Sequence, residues 1–302
     1  MNLVIEKSVA VILCVAAVCS SNKADDFVKL AVVDDNRIDE SSGLAISYAN
    51  PDAVWVHNDS GSKPQLFLVG LDGVTQAVVD IAHVKADDWE DMCSFQIDGA
   101  SWLLIGDVGD NLHRRGKGSG HSACKLYLLK EPVIPAKPDS AASKQSPTRV
   151  SAEVSSTITF DYPDGPADCE GVAVDVERKE ILLLTKNLLP HRCVLYKLQL
   201  NTMDVRQKVF AKRIASPFVC LATALDISPD GRTMAICTMF NGLKVTRTDE
   251  QTWTEAFDGA VTAFSLPLRK QGETICFDTT GKWLYVNSEE PQQPLWRVNI
   301  PK

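Results

Sequence analysis

Histidine is scarce in this chain, aromatic residues are few, and cationic side chains are outnumbered by acidic ones. The five histidines, at positions 57, 83, 113, 121 and 191, lack metal-ligand spacing. Nine cysteines include no Cys-x-x-Cys pair, which argues against a thiolate zinc site. No Gly-x-Ser-x-Gly elbow is present, and His57, Asp59 and Ser60 lie too close together to form a nucleophilic triad. With 31 Lys and Arg against 39 Asp and Glu, a net charge of −8 and a pI near 5.2, the chain lacks the basic footprint of a nucleic-acid binder. After the N-terminal segment, no apolar run approaches the roughly 20 residues of a membrane-spanning helix.

What the chain has instead is repetition. A unit of an acidic residue, a short hydrophobic strand, a tight turn, a second strand ending in polar residues and a third strand recurs five times. The clearest copy runs from Glu170 through Gly171–Asp175, Ile181–Lys186 and Val194–Leu198. Other copies open at Glu40, Glu90 and Glu273, and a fourth starts at Ala224-Leu225-Asp226-Ile227 without an opening acid. Turns such as Pro229-Asp230-Gly231 and Thr280-Gly281-Lys282 are hairpin chemistry, since Gly accepts the positive φ these turns require. Apolar runs of four to six residues are of strand length. A period of roughly 40–55 residues built only of strands predicts an all-β fold, a β-propeller. Five blades are favoured, with a sixth left open by the long gap between Glu90 and Glu170. Val28–Val33 is expected to pair with the strand around Trp296–Ile300 and close the ring, which removes the exposed edges.

Residues 1–24 read as a signal peptide, with Lys7 before an apolar stretch from Val9 to Val18 and small residues after it. The mature chain, 25–302, is then a single secreted or periplasmic domain, expected to be monomeric and to have no membrane span. Seven cysteines remain in it, an odd number, so at least one thiol is unpaired; Cys124 and Cys193 are candidates to bridge to loops. Residues 131–152, rich in Pro, Ala, Ser and Lys, have the composition of a surface loop insertion.

A propeller places the starts of its innermost strands around one channel. The expected lining is therefore acidic, from Glu40, Glu90, Glu170 and Glu273 at the unit starts and Asp59, Asp107, Asp110 and Glu289 after the second strands. Carboxylates gathered so densely must be protonated, paired or neutralised by a cation. Hard oxygen ligands suit Ca²⁺ or Mg²⁺, with Glu90, Asp107, Glu170 and Glu273 as ligands and Glu40 or Asp59 as proton acceptor. Arg114, Arg115 and Lys186 are the cations placed to hold an anionic substrate. Trp89 either packs between blades or stacks on a ligand.

The phrases Glu40-Ser41-Ser42-Gly43-Leu44, His57-Asn58-Asp59-Ser60-Gly61, Asp88-Trp89-Glu90-Asp91-Met92, Gly106–Asn111 and Asp168-Cys169-Glu170-Gly171 together resemble a family of secreted bacterial propeller proteins. More distantly, Glu170-Gly171 and Gly272-Glu273 with Leu284-Tyr285-Val286 look like blades of the β-propeller phytases and the gluconolactonase group. That resemblance implies a divalent cation, usually Ca²⁺, in an acidic channel and hydrolysis of a phosphoester or lactone. The fourth unit departs from the pattern, with Ala224-Leu225 in the Glu-Gly position. The alternative expectation is a propeller without catalysis that binds a protein or glycan partner through Trp89 and the long loops.

Overall fold

The computed structural model describes residues 26–116, 122–135, 146–187, 192–202 and 206–301. The segment read as a signal peptide lies outside them. Strand β1 (Phe27–Val32) precedes the first full blade, formed by β2 (Ser41–Ile46), β3 (Ala53–Asn58), β4 (Gln65–Gly70) and β5 (Thr75–Ala82). Blade two contains β6 (Trp89–Ile97), β7 (Ala100–Asp107) and β8 (Cys124–Lys130). The chain then returns to blade one, where β9 (Thr148–Glu153) lies parallel to β5, before β10 (Ser156–Asp161) completes blade two. Blade three is β11 (Cys169–Asp175), β12 (Glu180–Thr185) and β13 (Leu195–Gln199). Next, β14 (Arg206–Phe210) pairs in parallel with β10, and β15 (Lys212–Ala215) closes blade three. Blade four is β16 (Ala222–Ile227), β17 (Thr233–Thr238), β18 (Gly242–Thr246) and, after helix α1 (Trp253–Asp258), β19 (Val261–Phe264). Blade five takes β20 (Cys276–Phe277), β21 (Trp283–Val286) and β22 (Pro294–Asn299), with β1 antiparallel on β22 as its outer strand.

The ring is thus a five-bladed propeller closed by its own first strand, as the spacing predicts. No sixth blade fills the gap between Glu90 and Glu170 among the described residues. The run there is β10, the fourth strand of blade two. The 131–152 segment is more than a loop: β9 extends blade one, and buried Glu131 accepts hydrogen bonds from Trp55 Nε1 at 2.8 Å and from the Tyr48 and Ala49 amides at 3.1 Å. Both parallel additions, β9 and β14, cover blade edges that would otherwise expose unpaired backbone.

The core lies between blades. Trp55, Trp89, Met92, Leu103 and Tyr127 fill the seam between blades one and two, and Leu104, Leu126, Val172 and Leu183 the next seam. Burial of each such side chain contributes about 1.5–3 kcal/mol. All seven described cysteines are free thiols, six of them buried, so Cys124 and Cys193 serve as small core residues and bridge nothing. No helix among the described residues is long and apolar enough to cross a membrane.

Candidate cation site at the mouth of the propeller

Each of the first four inner strands carries a one-residue β-bulge at the same place. The register slips between Ser41 and Gly43, Trp89 and Asp91, Cys169 and Gly171, and Ala222 and Ala224. A bulged residue is left without a ladder partner and its side chain is re-aimed. The bulged residues are Ser42, Glu90, Glu170 and Thr223, and Glu273 occupies the matching place before β20. Two further rings follow from the same alignment. Two residues earlier stand Glu40, Asp88, Asp168, Leu221 and Gln271. Just past the second strands stand Asp59, Val108, Lys186, Met239 and Glu289. Acids therefore come from blades one, two, three and five, while blade four offers Leu221, Thr223 and Met239.

The carboxylates do meet. Asp59, Asp88 and Glu90 each offer an oxygen within 4.8 Å of the others, and so do Glu90, Asp168 and Glu170. Glu90 is common to both groups and buried, with one long hydrogen bond at its carboxylate from Ser42 Oγ at 3.4 Å. Lys186 Nζ bridges Glu170 at 3.0 Å and Glu273 at 3.7 Å. Gln271 Nε2 ties Glu273 to Glu289 at 3.0 and 2.8 Å. Oxygens separated by up to 4.8 Å match the span across a cation with bonds of about 2.3–2.6 Å to oxygen, as for Ca²⁺. Because Lys186 already supplies positive charge beside Glu170, the Asp59–Asp88–Glu90 side is the one short of a counter-charge.

Protonation is the alternative to a cation, and the electrostatics lean that way. Burial first, then the neighbouring Glu170 and Asp59 charges, raise Glu90 well above the ordinary carboxylate range. Burial raises Glu170 to about 8 even with Lys186 opposing it. Burial, with Asp88, Glu273 and Glu40 adding to it, raises Asp59 to about 6. Glu289 rises to about 9 through burial and its hydrogen bond with Glu273. Asp88 and Asp168 are also raised, again chiefly by burial.

Asp107, read from the sequence as a ligand, is not in either group. Its fully buried carboxylate accepts from Arg115 Nη2 at 2.9 Å, the Asp88 amide at 3.1 Å and Tyr127 Oη at 3.3 Å. The blade alignment explains why. Asn58 Oδ1 accepts the Glu40 amide and Ser288 Oγ accepts the Gln271 amide in the same fashion, so this ring holds the preceding loop. Arg115, expected to face a substrate, is buried and also donates to the Gly109 and Ala123 carbonyls. Trp89 is wholly buried and meets His57 edge to face at 5.3 Å, which removes it as a stacking platform. Arg114 and Glu40 are exposed, the latter two residues from the bulge position. Lys186 is the one predicted substrate cation that touches the cluster. The sequence frame missed Asp88 and Asp168 as ligand candidates. Their signal is the repeated Asp-x-Glu of Asp88–Glu90 and Asp168–Glu170.

Gly109 backs the cluster. A Cβ there would stand 2.1 Å from Glu90 Oε1 and 2.7 Å from Asp88 Cγ. Gly109→Ala should lower stability by about 1–3 kcal/mol through overpacking. Urea unfolding measures it, and an unchanged midpoint would show that the loop simply yields.

No protein-family profile matches the chain, and no curated protein is similar to it. Similar solved structures include the PQQ-bound aldose sugar dehydrogenase of Streptomyces coelicolor, at 9% identity and TM-score 0.45, over 90% of this chain and 97% of that one. The Pan2 WD40 domain of Neurospora crassa has 10% identity and TM-score 0.43, over 93% and 98%. Kuenenia stuttgartiensis hydrazine synthase has 11% identity and TM-score 0.38, over 82% of this chain and 61% of its own.

Proposed function

We propose that the mouth holds a divalent cation of the calcium type at Asp59, Asp88 and Glu90, and that the loaded protein hydrolyses a phosphoester or lactone. The observation that carries this reading is the convergence of two carboxylate triads on Glu90, with no ion pair to Glu90 among the described residues. A bound cation would supply Lewis acidity toward a phosphoryl or carbonyl oxygen and lower the pKa of a coordinated water. Glu40, an exposed acid whose charge acts on Asp59, accepts the proton lost by the attacking water. Glu289, held protonated beside Glu273, returns a proton to the departing oxygen. Lys186 orients the substrate's oxygen from the Glu170 side. Turnover on phosphoester and lactone panels should require Ca²⁺, disappear with chelator and be lost in Glu90→Gln. A purified protein free of metal and indifferent to calcium ends this reading.

A second reading, recognition of a protein or glycan partner without catalysis, is favoured by blade four. There the mouth carries exposed Met239 and Phe240, 48% and 66% accessible, in place of acids. Trp89 has no part in it. Partner capture that persists in chelator and fails in Phe240→Ser would select this reading over the first.

A further inference from the structure

At the opposite end of the blades, beside the β11–β12 turn, lies a cleft of about 360 Å³ between blades three and four. It is bordered by Arg178, Glu180, Lys197, Lys212, Arg213 and Trp253, in a chain whose net charge is −8. Lys197 and Lys212 are direct cross-strand partners on β13 and β15. Like charges placed so cost stability rather than add to it. Glu180 pairs with Lys197, but Lys212 has no ion-pair partner among the described residues and is exposed. Arg178 is fixed by Nη2 donating to the Asp249 and Gln251 carbonyls at 3.0 and 2.7 Å. Its buried Nη1 makes no hydrogen bond and has only long ion pairs, to Glu177 at 3.6 Å and Asp175 at 3.8 Å. Arg213 turns to Asp164 at 3.1 Å, so it borders the cleft without adding a free charge. Behind the wall, Arg247 lies 4.4 Å over Trp253 and pairs with Asp175 at 2.8 Å, which holds the Trp253 ring in place.

We propose that this cleft binds a phosphate- or sulfate-bearing group, with Lys197, Lys212 and Arg178 as its donors. An oxyanion placed between the two lysines turns their repulsion into two charge-assisted hydrogen bonds. The site is separate from the mouth and independent of the cation bound there. Calorimetric titration of the full chain in chelating buffer, with inorganic phosphate, pyrophosphate and sulfate as probes, tests it. Saturable binding of at least one probe is expected, weakened at least tenfold in Lys212→Glu and less in Lys212→Gln. Glu90→Gln should leave the affinity unchanged, which separates this site from the mouth. Response to pyrophosphate but not sulfate assigns a phosphorylated ligand, and the reverse a sulfated one. Absence of saturable binding by all three, or an affinity that Lys212→Glu leaves intact, overturns the proposal.

Discussion

Raising the pH from about 5 to about 9 in chelating buffer should destabilise this protein, and calcium should restore most of the loss. The groups responsible are Asp59, raised to about 6, Asp226, raised to about 7, Glu170, raised to about 8, and Glu289, raised to about 9. In the unfolded chain such carboxyls titrate near ~4. Between ~4 and those folded values the native state binds more protons than the unfolded state. Stability therefore falls as pH rises through the window, and the contribution is fully present below it. A carboxyl that holds its proton tenfold more tightly in the native state contributes about 1.4 kcal/mol before solvent screening, so a net loss of a few kcal/mol is expected. Two groups act in the opposite sense: Asp35, which Arg37 holds low against its own burial, at more acidic pH, and His57, which burial lowers to about 4, up to about pH 6.5, above which the carboxyls alone set the slope. A cation at the proposed site would substitute for the protons at the mouth and add about 2.7 kcal/mol at a hundred times Kd. Asp226 is remote from that exchange, since it accepts the Phe277 amide at 2.7 Å, and its share of the slope should remain. Thermal unfolding at several pH values, with chelator and with Ca²⁺, measures both parts. A chelated protein whose stability climbs from pH 5 to 8 would contradict the buried, mutually repelling carboxylates.

Fold class, blade number and ring closure were legible because a period of alternating short strands and Gly-bearing turns has few other solutions. The site was half legible. Glu90, Glu170 and Glu273 were readable as the acids heading each unit, but the bulge that aims them is a one-residue slip with no compositional mark. Without it, blade one was framed on Glu40, when the residue in the bulge is Ser42. Likewise Thr223 takes the acid's place in blade four, one residue before the Ala224-Leu225 pair that sequence spacing suggested. Asp107 looked like a ligand because an acid after a strand is indistinguishable, in sequence, from a loop-holding residue. Only the shared role of Asn58 and Ser288 reveals it. Arg115 was misplaced for a related reason: direction is not written in residue type, and it points inward, whereas Trp89 packs between blades, the first of its two expected readings.

Asp91→Ala should be the most damaging single change in the molecule, although its neighbour Glu90 tolerates neutralisation. Inner strands of a propeller are edge strands, so amides facing the axis have no ladder partner and must be satisfied otherwise. Asp91 does this for two blades at once. Its Oδ2 accepts the Val172 amide of blade three at 2.8 Å and the Leu225 amide of blade four at 3.1 Å, while Oδ1 accepts its own strand's Met92 amide at 2.8 Å. Blades one, three, four and five place Gly43, Gly171, Ala224 and Thr274 at this position; Asp226, two residues further along in blade four, serves one neighbouring blade in the same way, accepting the Phe277 amide at 2.7 Å and its own strand's Ile227 amide at 2.8 Å. Removing the carboxylate leaves three buried donors, the Val172, Leu225 and Met92 amides, unsatisfied at about 1–3 kcal/mol each, to which a cavity adds. A total of about 3–9 kcal/mol is a large share of a typical stability of about 5–15 kcal/mol. Asp91→Asn keeps one acceptor oxygen but turns an amide donor toward the other N–H groups, so it should fall between wild type and Asp91→Ala. Glu90→Gln, one residue away, removes a repelling charge and breaks only a long contact, so in chelator it should leave the melting temperature unchanged or raise it. Denaturant unfolding of the three variants side by side separates the two roles. If Asp91→Ala unfolds at the wild-type midpoint, the amides of Val172 and Leu225 are satisfied by water, and the axis of this propeller is wet rather than pinned by a carboxylate.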